Sequence, residues 1–135
     1  MSDEQQPDGE ATLRVVAMPS DVNINGDIFG GWVLSQMDIA SGIVAAQRAK
    51  GRVTTVAVDA MKFIRPVQVG NILCVWASVA RVGRSSMAIK IEAWAVRHRR
   101  GVSEKVTEAI FTYVAIDEDG NPRPVPQEDA PWPQV

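Results

Sequence analysis

The 135-residue sequence contains one cysteine and one histidine, and each scarcity removes a class of chemistry. Cys74 alone cannot close an internal disulfide, and no Cys/His spacing resembles a metal site. His98 alone leaves little room for a Ser-His or Cys-His nucleophile. Long apolar runs are missing too: none approaches the ~18 residues that a membrane-spanning helix needs. Residues 1–10 carry acids where a signal peptide needs bases followed by an apolar stretch. The expectations are no membrane partner and a cytoplasmic address. Phe, Trp and Tyr are few, and none interrupts the basic run Arg97-His98-Arg99-Arg100. Nucleic-acid surfaces interleave aromatics with a steeper basic excess, so this run reads as a solvated loop and no nucleic-acid partner is expected.

What remains is an ordinary globular balance, 46% apolar and 22% charged, in a length that suits one domain. The net charge of −2 conceals an uneven distribution. The first ten residues and the last nineteen hold most of the acids, while residues 11–116 carry thirteen bases against seven acids, a core of about +6. A positive core suits an anionic ligand such as a phosphorylated cofactor. Residues 1–10 are polar and aperiodic and read as a disordered tail. Residues 121–135 contain Pro122, Pro124, Pro126, Pro131 and Pro133 and read as a Pro-rich C-terminal tail. The domain between them spans residues 11–120.

Within it, residues 13–17 form a short β-like run, followed by the turn-rich loop 20–27. Gly30 and Gly31 open a proline-free segment, 32–50, that Gly51 closes as a helix C′ residue. Such a helix is roughly 30 Å long. The period then changes to two over 54–63, 72–82, 86–96 and 105–115. The turns between these runs are too short for parallel crossovers, so antiparallel pairing is expected. The result is an α+β domain in the order β-α-β-β-β-β, one long helix covering one face of a five-stranded antiparallel sheet. The uncovered face or edge needs a partner, which implies a homo-oligomer.

Asp38 is the most informative residue of the helix. On a helical wheel it sits among Leu34, Met37, Ser41, Val44 and Ala45, too far inside to be a cap. Small neighbours, Ser35, Ala40, Ser41 and Gly42, permit close approach of a ligand or another chain. A carboxylate beside an apolar face suits a general base or nucleophile, although a partly exposed or structurally satisfied acid fits the wheel equally. Gly30 and Gly31 leave N–H groups at a positive helix terminus, bare of side chains, where an oxyanion or phosphate can approach; a simple turn device is the alternative. Asp38 lies two turns below on the same side. Other polar residues are weaker candidates: Asp59 supports a site or pairs with a base, Asp27 starts the helix or a turn, and Cys74 is a small buried hydrophobe.

The string Met18-Pro19-Ser20-Asp21-Val22-Asn23-Ile24-Asn25-Gly26-Asp27-Ile28-Phe29-Gly30-Gly31-Trp32, continued by Ser35-Gln36-Met37-Asp38, resembles the hotdog-fold acyl-CoA thioesterases, in particular their bacterial YciA-like branch. Gly51-Arg52-Val53-Thr54-Thr55-Val56, Phe63-Ile64-Arg65-Pro66-Val67, Val82-Gly83-Arg84-Ser85-Ser86 and Thr107-Glu108-Ala109-Ile110-Phe111 agree with it. The resemblance implies a hotdog fold, a long helix wrapped by the sheet, in dimers that join two sheets and commonly form a trimer of dimers. It makes Asp38 the catalytic carboxylate, Asn23 a loop amide that places water or the thioester carbonyl, and Gly30 or Gly31 the oxyanion donor. It places coenzyme A contacts near Val53 and Thr54 and along Arg84, Ser85, Ser86 and Met87. The implied reaction hydrolyses acyl-CoA to a carboxylic acid and free coenzyme A, with no metal and no cofactor beyond the coenzyme A of the substrate. A non-catalytic acyl-CoA sensor or carrier is the alternative on the same fold, and Trp132 reads as part of a mobile tail, with packing on a neighbouring subunit as the alternative.

Overall fold

Alternating apolar residues draw five segments into one antiparallel sheet, as the period of two requires. The computed structural model describes residues 5–59, 61–97 and 101–133. Its elements are β1 (Leu13–Val16), α1 (Gly30–Ala49), β2 (Val53–Val58), β3 (Ile72–Val82), β4 (Ser86–Arg97) and β5 (Val102–Ala115). The strands lie in the order β1-β3-β4-β5-β2, each antiparallel to its neighbour. β1 and β2 are therefore the two edges, and α1, which joins them in the chain, crosses the sheet between them. This is the helix-in-sheet architecture expected from the resemblance.

The helix buries Val33, Met37, Ala40, Ser41, Ala45 and Ala49. Four of these six are Ala or Ser, so the helix axis can lie close to the sheet. Opposite it stand Leu73, Val75, Met87, Ile89, Ile91, Phe111 and Tyr113, all buried. Each large apolar side chain here contributes about 1.5–3 kcal/mol by leaving water. The buried stripe is rotated from the one read off the wheel: Leu34 and Asp38 are exposed at its margin, because Val33 and Ala40 face the sheet instead.

β2 ends at Val58, five residues before the sequence pattern does. A register shift between Thr55 and Ala57 bends it, and Pro66 has no N–H to offer a ladder. Beyond β2 the chain stays bonded to β5 at scattered points, among them Asp59 N to Ile110 O (3.0 Å), Ile64 N to Val106 O (2.7 Å) and Thr107 Oγ1 to Lys62 O (2.7 Å). Arg97, read as part of a solvated loop, is instead the last residue of β4. Its guanidinium binds Glu104 (2.9 Å) and Asn71 Oδ1 (2.6 Å). His98, Arg99 and Arg100 lie outside the described residues.

The helix C-terminus also departs from the simple glycine rule. Lys50, with φ 54°, takes the left-handed position. Gly51 is required for another reason: a Cβ there would stand 2.5 Å from Arg123 Nη2. That nitrogen donates to the Ala49 carbonyl (2.9 Å), while Arg48 binds Pro126 O (2.6 Å) and Lys50 Nζ binds Glu128 O (2.9 Å). Cations are favoured at the negative end of the helix dipole. They dock residues 122–128 of the Pro-rich stretch against the body, aided by Val125 N on Arg84 O (2.7 Å). Among the described residues no helix is long and apolar enough to cross a membrane.

Candidate active site

The loop before α1 is pinned by one side chain. Asn23 Oδ1 accepts from the N–H groups of Asn25 (2.8 Å) and Asp27 (3.1 Å), and Asn23 N donates to Asp27 O (2.7 Å). The carboxamide oxygen is thus occupied by its own loop, which leaves the Nδ2 group as the part of Asn23 able to act on a ligand. Asp27 is a turn residue, as its sequence position implies. The loop returns through Phe29, whose N–H binds Asp21 O (3.0 Å) and whose carbonyl takes Trp32 N (3.0 Å). Phe29 caps α1 without a side-chain bond, so Gly30 and Gly31 carry first-turn N–H groups with no intrahelical acceptor.

These two glycines open onto different cavities. Gly30 lies with Asn23, Ile28, Val33 and Phe63 around a cavity of about 310 Å³. Gly31 lies with Asp38, Leu34, Thr55, Val58 and Phe111 around one of about 250 Å³. Asn23 thus lines the first of these two cavities and Asp38 the second.

Asp38 is not a loose surface acid. Its Oδ1 accepts from Thr55 Oγ1 (2.8 Å) and from the Tyr113 phenol (2.5 Å). The phenol oxygen also lies 2.9 Å from the Asp38 main-chain carbonyl. Burial pushes the Tyr113 phenol well above its ordinary value, and the bond to the Asp38 carboxylate adds to the shift; Thr55 and Ser41 oppose it. Tyr113 is accordingly a neutral donor. Thr55 and Tyr113 escaped the reading of the sequence as site residues, because their place depends on register. Thr55 pairs with Tyr113, which pairs with Met87, and this row faces the helix.

The next row, Thr54-Val114-Ser86, must face the other way. Thr54 and Ser86 hence flank Val114 on the outer face, beside the β3–β4 turn that carries Arg84 and Ser85. Arg84 is exposed there, and the Ser85 carbonyl accepts Ala115 N (2.9 Å). Val53, at the head of β2, packs partly against the core. The Met87 side chain is fully buried under the helix, so what it offers to this cluster is its backbone. Cys74 lies across from Trp94 on the outer face, where burial pushes its thiol up and Arg14 pulls it partly back. Asp59 lies just past the end of β2, exposed, and Trp132 is largely exposed. No cluster of three His, Cys, Asp or Glu able to hold a metal occurs among the described residues.

Residues 25–102 match the family model of the thioesterase superfamily, and the chain belongs to that superfamily, in its hotdog fold. The acyl-CoA thioester hydrolase YciA of Salmonella typhimurium (strain LT2) is 50% identical over 126 residues, 91% of this chain and 95% of its own. The YciA of Escherichia coli (strain K12) is 49% identical over 125 residues, 90% and 95% of the two chains. Among solved structures, HI0827, a hexameric broad specificity acyl-coenzyme A thioesterase, is 48% identical with a TM-score of 0.86, over 93% of this chain and 86% of its own. The hexameric thioesterase y2039 from Yersinia pestis is 51% identical with a TM-score of 0.85, over 90% and 99%.

Proposed function

We propose that the protein is an acyl-CoA thioester hydrolase in which Asp38 is the reacting carboxylate. The observation that carries this is a carboxylate anchored by two hydroxyl donors in a largely apolar cavity, two helical turns below the bare N–H of Gly31. The names and reactions of the relatives support the same reading.

A thioester carbonyl is electrophilic enough for carboxylate catalysis without histidine or metal. As a base, Asp38 takes a proton from water while the water oxygen bonds to the carbonyl carbon. The oxyanion that forms rests against a glycine N–H and the helix dipole. Collapse breaks the C–S bond, and the coenzyme A thiolate leaves with the proton Asp38 had taken. As a nucleophile, the carboxylate attacks the carbonyl carbon, the C–S bond breaks as coenzyme A leaves as thiolate, and water then opens the anhydride, restoring the Asp38 carboxylate and yielding the acid, with the water's proton passing to the thiolate. Arg84 and Ser85, with Thr54 and Ser86, would receive the phosphates and pantetheine, and the substrate's own coenzyme A is the one cofactor involved.

Since Asn23 and Asp38 line separate cavities, the complete site is assigned to two protomers, Asn23 of one facing Asp38 of the other. The exposed apolar edge of β2, with Val56 54% accessible, supports pairing with a second copy. A trimer of such dimers fits the hexameric relatives.

The experiment is a panel of acyl-CoA esters of rising length, read by release of free thiol, with wild type and Asp38→Asn. Asp38→Asn should retain the fold and oligomer and lose at least ~100-fold in kcat, the usual scale for a general base. Acyl-CoA binding without thiol release by the wild type would establish a sensor or carrier instead.

A further inference from the structure

Hydrolysis requires Asp38 to present a carboxylate oxygen in one orientation, and the sheet supplies a device that fixes it. Tyr113 projects from β5 across to α1 and is 2% exposed. Its ring edge lies 3.9 Å from where a Gly42 Cβ would stand, one turn past Asp38. Its hydroxyl bonds Oδ1 of Asp38 and lies 2.9 Å from the main-chain carbonyl of the same residue. The phenol has one proton to share between these two acceptors; given to Oδ1 from beside the same residue's carbonyl, it restricts rotation about the Cα–Cβ bond. Thr55 donates to that same Oδ1. Among the described residues nothing binds Oδ2.

We infer that Tyr113 is a positioning residue that occupies Oδ1 of Asp38 and thereby makes Oδ2 the oxygen that takes the water proton or attacks the carbonyl. The inference rests on Asp38 being the reacting carboxylate. Tyr113 keeps its own proton throughout: burial and the adjacent carboxylate both oppose ionisation of the phenol. Asp38 is the charged group facing the phenol, from α1, together with the hydroxyls of Thr55 on β2 and Ser41 on α1. Ser41 is itself buried beside the phenol. A donor that never titrates in the working range holds the base without competing for the proton being moved.

Tyr113→Phe removes the hydroxyl and keeps the ring. The expected result is a roughly 10- to 100-fold loss of kcat, the scale of a misplaced reacting group, with KM within about twofold and the oligomer intact. A folded Tyr113→Phe enzyme with wild-type kcat, or one that loses only KM, overturns the inference. Tyr113 is the single tyrosine of the chain, so growth on 3-fluorotyrosine labels it alone. Its fluorine resonance should move on Asp38→Asn and stay in place on the distant Glu118→Gln. An unmoved resonance on Asp38→Asn overturns the inference without any change at position 113, so this arm decides even if the Phe variant fails to fold. Full activity of Asp38→Asn would instead overturn the proposed function, whereas an inactive Asp38→Asn beside a fully active Tyr113→Phe overturns only the role of Tyr113.

Discussion

Alanine at position 31 should make the protein more stable and less active. A Cβ at Gly31 meets no atom within 4 Å, so the substitution introduces no clash, and φ at this helical position suits any residue. Glycine to alanine in a helix is worth about 0.5–1 kcal/mol. For a chain of this length that corresponds to roughly 2–5 °C in Tm, the lower part of the range applying to a first-turn site. The space that the methyl enters is the cavity of Asp38. A thioester oxygen must come within about 2.7–3.1 Å of its donor, and a methyl beside the Gly31 N–H obstructs that approach. We expect kcat/KM to fall roughly 10- to 100-fold, a misplacement penalty of the kind that accompanies a shift of about 1 Å. Gly30→Ala is the internal comparison. Its Cβ would lie 3.2 Å from Cε2 and Cζ of Phe63, whose ring is 49% exposed and can yield by a few tenths of an ångström. Thermal unfolding paired with thiol release on both variants checks the argument. Gly31→Ala with raised Tm and undiminished turnover would refute the assignment of its N–H to the oxyanion, and damage confined to Gly30→Ala would move the donor to the cavity of Asn23.

Three further outcomes are expected. Arg84→Ala should raise KM for acyl-CoA more than it lowers kcat, because a distant phosphate contact stabilises ground and transition states alike; wild-type KM should climb with ionic strength, and acyl-pantetheine substrates should be indifferent to both changes. Gly51→Ala should destabilise by about 1–2 kcal/mol, the scale of a lost cap, since its Cβ displaces Arg123 from the Ala49 carbonyl; in thermal melts the cost should shrink when Arg123→Ala is already present. Inactive Asn23→Ala and inactive Asp38→Ala, dissociated and reassembled in equal amounts, should regain roughly a quarter of wild-type activity, since half the dimers are mixed and each holds one intact site; no recovery with subunit exchange confirmed by mass would place both residues in one chain's site.

The sequence carried the element order, because helix and strand periods are local properties. The 72–82 strand matches its expected bounds and β4 is longer by one residue, whereas β2 stops early where a bulge and Pro66 intervene. Asp38 was legible as an acid out of place on a wheel, and its resemblance to a known family gave it a role. Its supporting hydroxyls were not legible. Thr55 and Tyr113 are 58 residues apart and meet Asp38 only through the β2–β5 register, which a bulge at Thr55 makes unreadable from spacing. Met87 shows the same limit from the other side. It adjoins Ser86 in sequence, yet alternation turns its side chain into the core. The contacts of the Pro-rich stretch were not legible either: Arg48 and Lys50 reach the Pro126 and Glu128 carbonyls, and Arg123 reaches that of Ala49, pairings that composition cannot reveal.

The topology is compatible with the proposed division of the site between two protomers. Because α1 joins the two edge strands, its N-terminus emerges beside the loop that holds Asn23, while Asp38, two turns on, faces the β2 side through Thr55. Gly30 and Gly31 each line one of the two cavities beside that terminus. Within one chain Asn23 lines the first cavity and Asp38 the second. A second copy paired along the open β2 edge would bring the missing half without altering either chain, and the exposed Val56 and Val58 on that edge would be covered in the same step. On this reading the apolar edge and the incomplete cavity are one feature: the contact that buries the edge also completes the site, so dilution below the dimer's dissociation range should abolish turnover while each chain keeps its fold.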